Sequence, residues 1–132
     1  MATVNKYREV RSWGAGREKF EIEYDFAKDA GAVAALDLFK AKEACVIKLA
    51  EMHVLTTCTS GGAATVSVGK TADVAGMVAA TAVASLTAGA VILGAALDAS
   101  HTLAADDVVQ MDVAVAALTA GKIKFVFEVM KF

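Results

Sequence analysis

The stretch Gly121-Lys122-Ile123-Lys124-Phe125-Val126-Phe127-Glu128-Val129-Met130-Lys131-Phe132 decides the fold. Ile123, Phe125, Phe127 and Val129 recur at every second position and oppose Lys122, Lys124, Val126, Glu128 and Met130. A repeat of two belongs to a β-strand, whose successive side chains point to opposite faces; a helix repeats every 3.6 residues. The first face is uniformly large and apolar and reads as a core face. The second mixes charge with Val126, Met130 and Phe132, whereas a fully solvated face would be more uniformly polar. This strand is therefore expected to pack the domain with one face and meet a neighbouring protein with the other.

The same period recurs upstream. Val109, Met111, Val113 and Val115 oppose Gln110, Asp112, Ala114 and Ala116, and the short Leu118-Thr119-Ala120-Gly121 connection predicts an antiparallel hairpin with the final strand. Phe20, Ile22, Tyr24 and Phe26 alternate with Lys19, Glu21, Glu23 and Asp25, a strand buried on one side that ends in the turn residues Lys28-Asp29-Ala30-Gly31. Ala44 to Thr59 is rich in strand formers but longer than most strands, and its apolar parity changes near Ala50 and Glu51, which predicts a bulge there. Ser60-Gly61-Gly62 is a turn, after which Ala64, Val66 and Val68 resume alternation. Ala34 to Phe39 fits a helical face or a strand equally. Asp73 to Ala84 is expected to form a short helix, Ala88 to Leu93 a strand, and His101 to Asp107 a polar loop or short edge element. With seven or eight strand candidates, the fold class is all-β: an antiparallel β-sandwich, jelly-roll-like, with a short helix in the alanine-rich centre. Leu-Thr-Ala-Gly occurs at Leu86 to Gly89 and again at Leu118 to Gly121, and reads as a repeated turn solution.

A chain of 132 residues supports one hydrophobic core. Residues 16–132 are expected to form the single sandwich, preceded by an arm or first edge strand over residues 1–15. The net charge of -2 gives no field that would draw the protein to nucleic acid or an anionic membrane. Charge is unevenly spread: residues 61 to 121 hold one lysine and five aspartates. Alanine occurs 29 times and weakens every periodicity in the middle of the chain. The 24 uncharged residues from Val74 to Leu97 are long enough to span a bilayer, but glycines and hydroxyls interrupt them and no basic anchor flanks them, so no membrane span is expected. Charge persists beyond Arg11 without an apolar run, unlike a signal peptide. Cys45 and Cys58 are too few for a disulfide framework and cannot meet on one continuous strand, so two buried or half-buried thiols are expected.

Chemical motifs are weak throughout. Ser67-Val68-Gly69-Lys70-Thr71 lacks the first glycine of a phosphate loop, whose place is taken by Ala64. His53, His101, Cys45 and Cys58 lack the paired spacing of a structural zinc site. Cys58 and His53 would face opposite sides of one strand, and Asp73, Asp98 and Asp106 lack the oxygen-rich spacing of a calcium loop. No catalytic residue, metal or cofactor is expected. Tyr7, Arg8, Arg11, Trp13 and Arg17 form the most basic local surface, diluted for nucleic acid by Glu9 and Glu18. An arm lying across a neighbouring protein, anchored by Trp13, and ordinary first-strand packing fit these residues equally.

Three segments carry a family likeness: the Arg17 to Phe26 strand; Thr56-Thr57 leading through Gly61-Gly62 to Ala64-Thr65-Val66; and Val108 to Ala116 leading through Ala120-Gly121 to Lys122-Ile123-Lys124. Their arrangement resembles the head decoration, or cement, proteins of tailed bacteriophages, from which this chain departs in having no proline and in its long alanine-rich centre. The resemblance implies a non-enzymatic jelly-roll or related β subunit, trimeric, that binds the outer surface of a capsid where major capsid proteins meet and stabilises the shell. It implies a virion location after synthesis in the host cytoplasm, with neither nucleic acid nor membrane as partner. The interface candidates are then Tyr7, Arg8, Arg11, Trp13, Val126, Met130 and Phe132. A tail or fibre-associated structural protein is the alternative within virions. A small carbohydrate-binding sandwich using Trp13 or Tyr7 is the alternative outside them.

Overall fold

Alternating large apolar side chains drive two sheets face to face. The computed structural model describes residues 9–10, 17–95 and 99–131, which form ten strands and one α-helical turn. The strands are β1 (Glu9–Val10), β2 (Arg17–Asp25), β3 (Ala35–Ala41), β4 (Cys45–Ser60), β5 (Thr65–Lys70), β6 (Asp73–Ala82), β7 (Val91–Leu93), β8 (Thr102–Leu103), β9 (Val108–Ala114) and β10 (Leu118–Lys131); α1 (Phe26–Asp29) follows β2. One sheet has the order β1-β3-β9-β5-β6 and the other β2-β10-β4-β7, with β8 also pairing β4. Only β1 and β3 pair in parallel; every other described pair is antiparallel. The fold is all-β and jelly-roll-like.

The final strand is the centre of its sheet. β10 pairs β2 on one side (Phe125 with Ile22, Phe127 with Phe20) and β4 on the other (Phe125 with Met52, Phe127 with Ala50). Ile123, Phe125, Phe127 and Val129 are buried, as the alternation requires. Phe39 from the opposite sheet lies 5.0 Å, ring centre to ring centre, from both Phe20 and Phe127 in edge-on geometry, and these rings fasten the sheets together.

The parity change in β4 has its expected cause. Val129 faces Ile47 and Glu128 faces Leu49, so Lys48 is the extra residue of a bulge, two positions before Ala50. Cys45 and Ile47 point inward before it and Ala50, Met52 and Val54 after it. A similar irregularity settles the ambiguous Ala34 to Phe39: Asp37 pairs Gln110 and Phe39 pairs Val109, leaving Leu38 as the extra residue of β3. Leu38 and Phe39 are consequently both buried, which imitates a helical pattern in sequence.

Two expectations are corrected. Asp73 to Ala84 is no helix: Asp73–Ala82 is strand β6, paired with β5 and burying Met77 and Val78, and only Val83–Ser85 turn as a 3₁₀ helix. The alanines leave local preference weak, so pairing with β5 decides. Nor do β9 and β10 form a hairpin. Both sides of β9 are occupied by β3 and β5, both sides of β10 by β2 and β4, and the short link carries the chain from one sheet to the other.

The connections sort to two ends. At one lie the loops 26–34, 61–64, 83–90 and 115–117, tied by hydrogen bonds from Leu118 N–H to Gly31 C=O (2.7 Å), Val113 N–H to Ala34 C=O (3.0 Å) and Val83 N–H to Ala64 C=O (3.0 Å). At the other lie the links 42–44, 71–72 and 104–107.

Candidate assembly surfaces

The outer face of the β10 sheet is a field of paired charge. Lys122 Nζ lies 3.7 Å from Asp25 and Lys124 Nζ 3.5 Å from Glu21, and beside them His53 Nε2 is hydrogen-bonded to Glu51 Oε1 at 3.0 Å. Val126 stands between Glu21 and Glu51 in register and is only 4% exposed within the single chain. Met130 on the same face is half-buried, so it and not Val126 is the apolar residue this strand leaves open to a partner. Tyr7, Arg8, Arg11, Trp13 and Phe132 lie outside the described residues, as does Asp98.

The groups with chemical potential are structural where they are described. Cys45 and Cys58 lie near opposite ends of β4 as buried free thiols. Burial pushes the Cys45 thiol up to about 11, helped by the negative charge of Asp107 and Glu43, and burial likewise raises Cys58. Both shifts disfavour the thiolate that a nucleophile requires. His53 is on the outer face and Cys58 on the inner, as their spacing on one strand implies. Lys70 closes β5 and donates from Nζ to the Thr102 carbonyl at 2.9 Å, so the Gly69-Lys70 step is a strand end that clips the β8 segment. Asp106 pairs with Lys40 at 3.4 Å. Among the described residues no three His, Cys, Asp or Glu side chains are grouped to hold a metal, and no helix is long and apolar enough to cross a membrane. An open cleft beside β7 is lined by Lys48, Glu51, Leu93 and His101.

The end bearing loops 26–34, 61–64, 83–90 and 115–117 differs from every other surface described. Its residues are almost all Ala, Gly, Ser, Thr and Val, and Lys28 is its single exposed ionic side chain; Asp29 is buried and accepts the Asp25 N–H. Val33 and Val115 project from it, 52% and 75% exposed. Val115 is held at φ 74°, and the Ala116 N–H donates to the Ala114 carbonyl at 2.9 Å across it. That is a γ-turn of the positive-φ kind, rare for any side chain and worst for a β-branched one. The opposite end is ionic, with Lys40, Lys42, Glu43, Lys70, Asp73, Asp106 and Asp107.

Sequence reading missed this uncharged end because its four loops are far apart in the chain. The signal was the lone lysine between residues 61 and 121, whose five aspartates avoid all three of the loops that fall there.

No family model matches the sequence, and no curated protein matches it. Two solved structures match in shape. A chain of the capsid of Ralstonia phage GP4 superposes with a TM-score of 0.62 at 17% identity, over 93% of this chain and 89% of its own. A chain of the capsid asymmetric unit of cyanophage Pam1 superposes with a TM-score of 0.59 at 14% identity, over 93% and 91%. Near-complete coverage in both directions makes all three chains similar in size, and this chain has the same jelly-roll-like fold as these two phage capsid chains.

Proposed function

We propose that this chain is a non-enzymatic structural subunit of a bacteriophage capsid, bound as a homotrimer to the outer surface of the shell where major capsid proteins meet, and stabilising it. The observation that carries the reading is the two-way, nearly full-length likeness to chains of two phage capsids. A chain of this size is one sandwich with both sheets committed to its own core, and it therefore acts through its surfaces. Reinforcement of a shell needs only a modest interface per copy, because every bound copy favours the assembled state by mass action and symmetry repeats the gain. The outer face of the β10 sheet suits the contact with the shell: the ion pairs of Lys122 and Lys124 near the start of the strand and half-buried Met130 near its end put charge and apolar surface on one face, which gives orientation and specificity.

The test is cryo-electron microscopy of virions of the phage that encodes the chain, with and without the gene. Sandwich-sized density on the outside of the head, and heads that burst at lower temperature without it, are expected. Density confined to the tail, or the absence of the chain from particles, overturns the proposal. Met130→Lys is expected to reduce occupancy on heads while the fold is retained.

A further inference from the structure

We infer that the uncharged end of the sandwich, with the Val115 turn at its tip, is the surface through which copies of this chain pack against one another. The inference rests on the capsid reading for its setting and names the self-contact within it. Three observations converge.

The first is strain without an internal return. Val115 occupies a positive-φ turn that glycine or asparagine would adopt far more easily, and three-quarters of its surface faces solvent. The core gains nothing from the valine. A second chain covering its side chain supplies the burial that the isolated protomer lacks.

The second is adjacency. Val113 N–H bonds Ala34 C=O, so the loop carrying Val33 runs beside the turn carrying Val115, and the two exposed valines share one surface. Around them Gly61, Gly62, Ala63 and Ala117 present almost no side chain, which lets two backbones approach closely.

The third is charge. In a ring of identical copies, residues close to the rotation axis meet their own counterparts, so any ionic group there faces its like. The ionic end would set Lys42, Glu43, Lys70 and Asp73 against themselves. The other end brings a single exposed ionic side chain, Lys28, and so far less of this repulsion. Its partner is thus an equally uncharged surface, which a second copy provides and the charged surfaces of the same protein do not.

The experiment is sedimentation equilibrium of the full chain from about 1 to about 500 µM, covering the affinity range of weak to moderate assemblies. Wild type is compared with Val33→Lys/Val115→Lys, with Val115→Asn, and with Val74→Lys, an exposed valine at the opposite end, as control. Wild type is expected to self-associate and Val74→Lys to match it. The double lysine variant is expected to associate about tenfold or more weakly while keeping its circular dichroism. Val115→Asn is the sharper arm: with the turn relieved it should melt at a higher temperature yet associate more weakly, a combination that a purely structural role for Val115 does not produce. A wild type that is monomeric throughout, lysines at Val33 and Val115 that change nothing, or an equal loss from Val74→Lys overturns the assignment. Binding of the same samples to heads lacking the chain separates the two proposals. A protein that binds heads as a monomer sinks this one alone, and a protein that associates through this end but never binds heads sinks the capsid reading alone.

Discussion

Replacing Phe39 by alanine is the most informative single test of how the two sheets are held. Phe39 is fully buried and is the one member of the ring cluster that comes from the β9-containing sheet; Phe20 and Phe127, both from the β10 sheet, meet it edge-on at 5.0 Å. Truncating a buried phenylalanine costs about 3–5 kcal/mol, and the loss of two edge contacts, each ~0.5–1.5 kcal/mol, puts this site in the upper part of that range. With a urea dependence of about 1.5 kcal/mol per molar, the unfolding midpoint should fall by about 3 M with an unchanged slope. Phe39→Leu keeps most of the apolar volume and loses the ring geometry, so it should cost about 1–3 kcal/mol. A double-mutant cycle between Phe20 and Phe39 should return a coupling of about 0.5–1.5 kcal/mol. A loss below ~1.5 kcal/mol for Phe39→Ala, or zero coupling to Phe20, would refute the claim that these rings join the sheets.

Other outcomes follow from single features. Cys45 and Cys58 should resist a thiol reagent at pH 8 in the native protein and both react once it is unfolded. Because the folded Cys45 thiol is raised from 9.0 to about 11, its contribution to stability is intact below pH 9 and declines as the pH climbs towards 11, with Cys58 and Tyr24 shifting the same way; urea midpoints at pH 8, 9.5 and 11 should fall in that order. Gly121→Ala puts a Cβ 2.5 Å from Cys58 Sγ and 3.0 Å from Cys58 Cα at φ 139°, so thermal denaturation should register a loss of about 2–4 kcal/mol that Cys58→Ala does not fully restore. Tyr24→Phe removes the hydroxyl that donates to the Ala30 carbonyl at 2.7 Å, and urea unfolding should show a loss of about 0.5–1.5 kcal/mol.

What was legible in the sequence was whatever a single strand records about itself. Ile123 to Val129 and Phe20 to Tyr24 announced their core faces, and the parity change in β4 located a bulge now seen at Lys48. The repeated Leu-Thr-Ala-Gly also held a common logic: Leu86 and Leu118 are both buried, and Gly89 and Gly121 both have positive φ, although the second copy lies inside β10. Relations between strands were not legible. The spacing from β9 to β10 permits a hairpin, and only the occupation of both sides of each strand forbids it. Alanine at so many positions of β6 leaves helix and strand nearly equal until β5 supplies a partner. The uncharged end exists only once four loops converge, and the strain at Val115 is a property of its backbone that no valine in a sequence discloses.

The central place of β10 also sets a timetable. Asp25 at the end of β2 pairs with Lys122, so a ribosome adding about 5–20 residues per second reaches the partner roughly 5–20 s after it has made β2, with ~100 residues between them. During that interval β2 and β4, the future flanks of the longest ladder in the described residues, have nothing between them and expose Phe20, Ile22, Met52 and Val54. A cell that makes this chain in bulk would then carry a large transient pool of half-paired nascent chains. Yield at high expression should therefore depend on how slowly such chains collide, improving with lower temperature and slower translation rather than with a more stable native state.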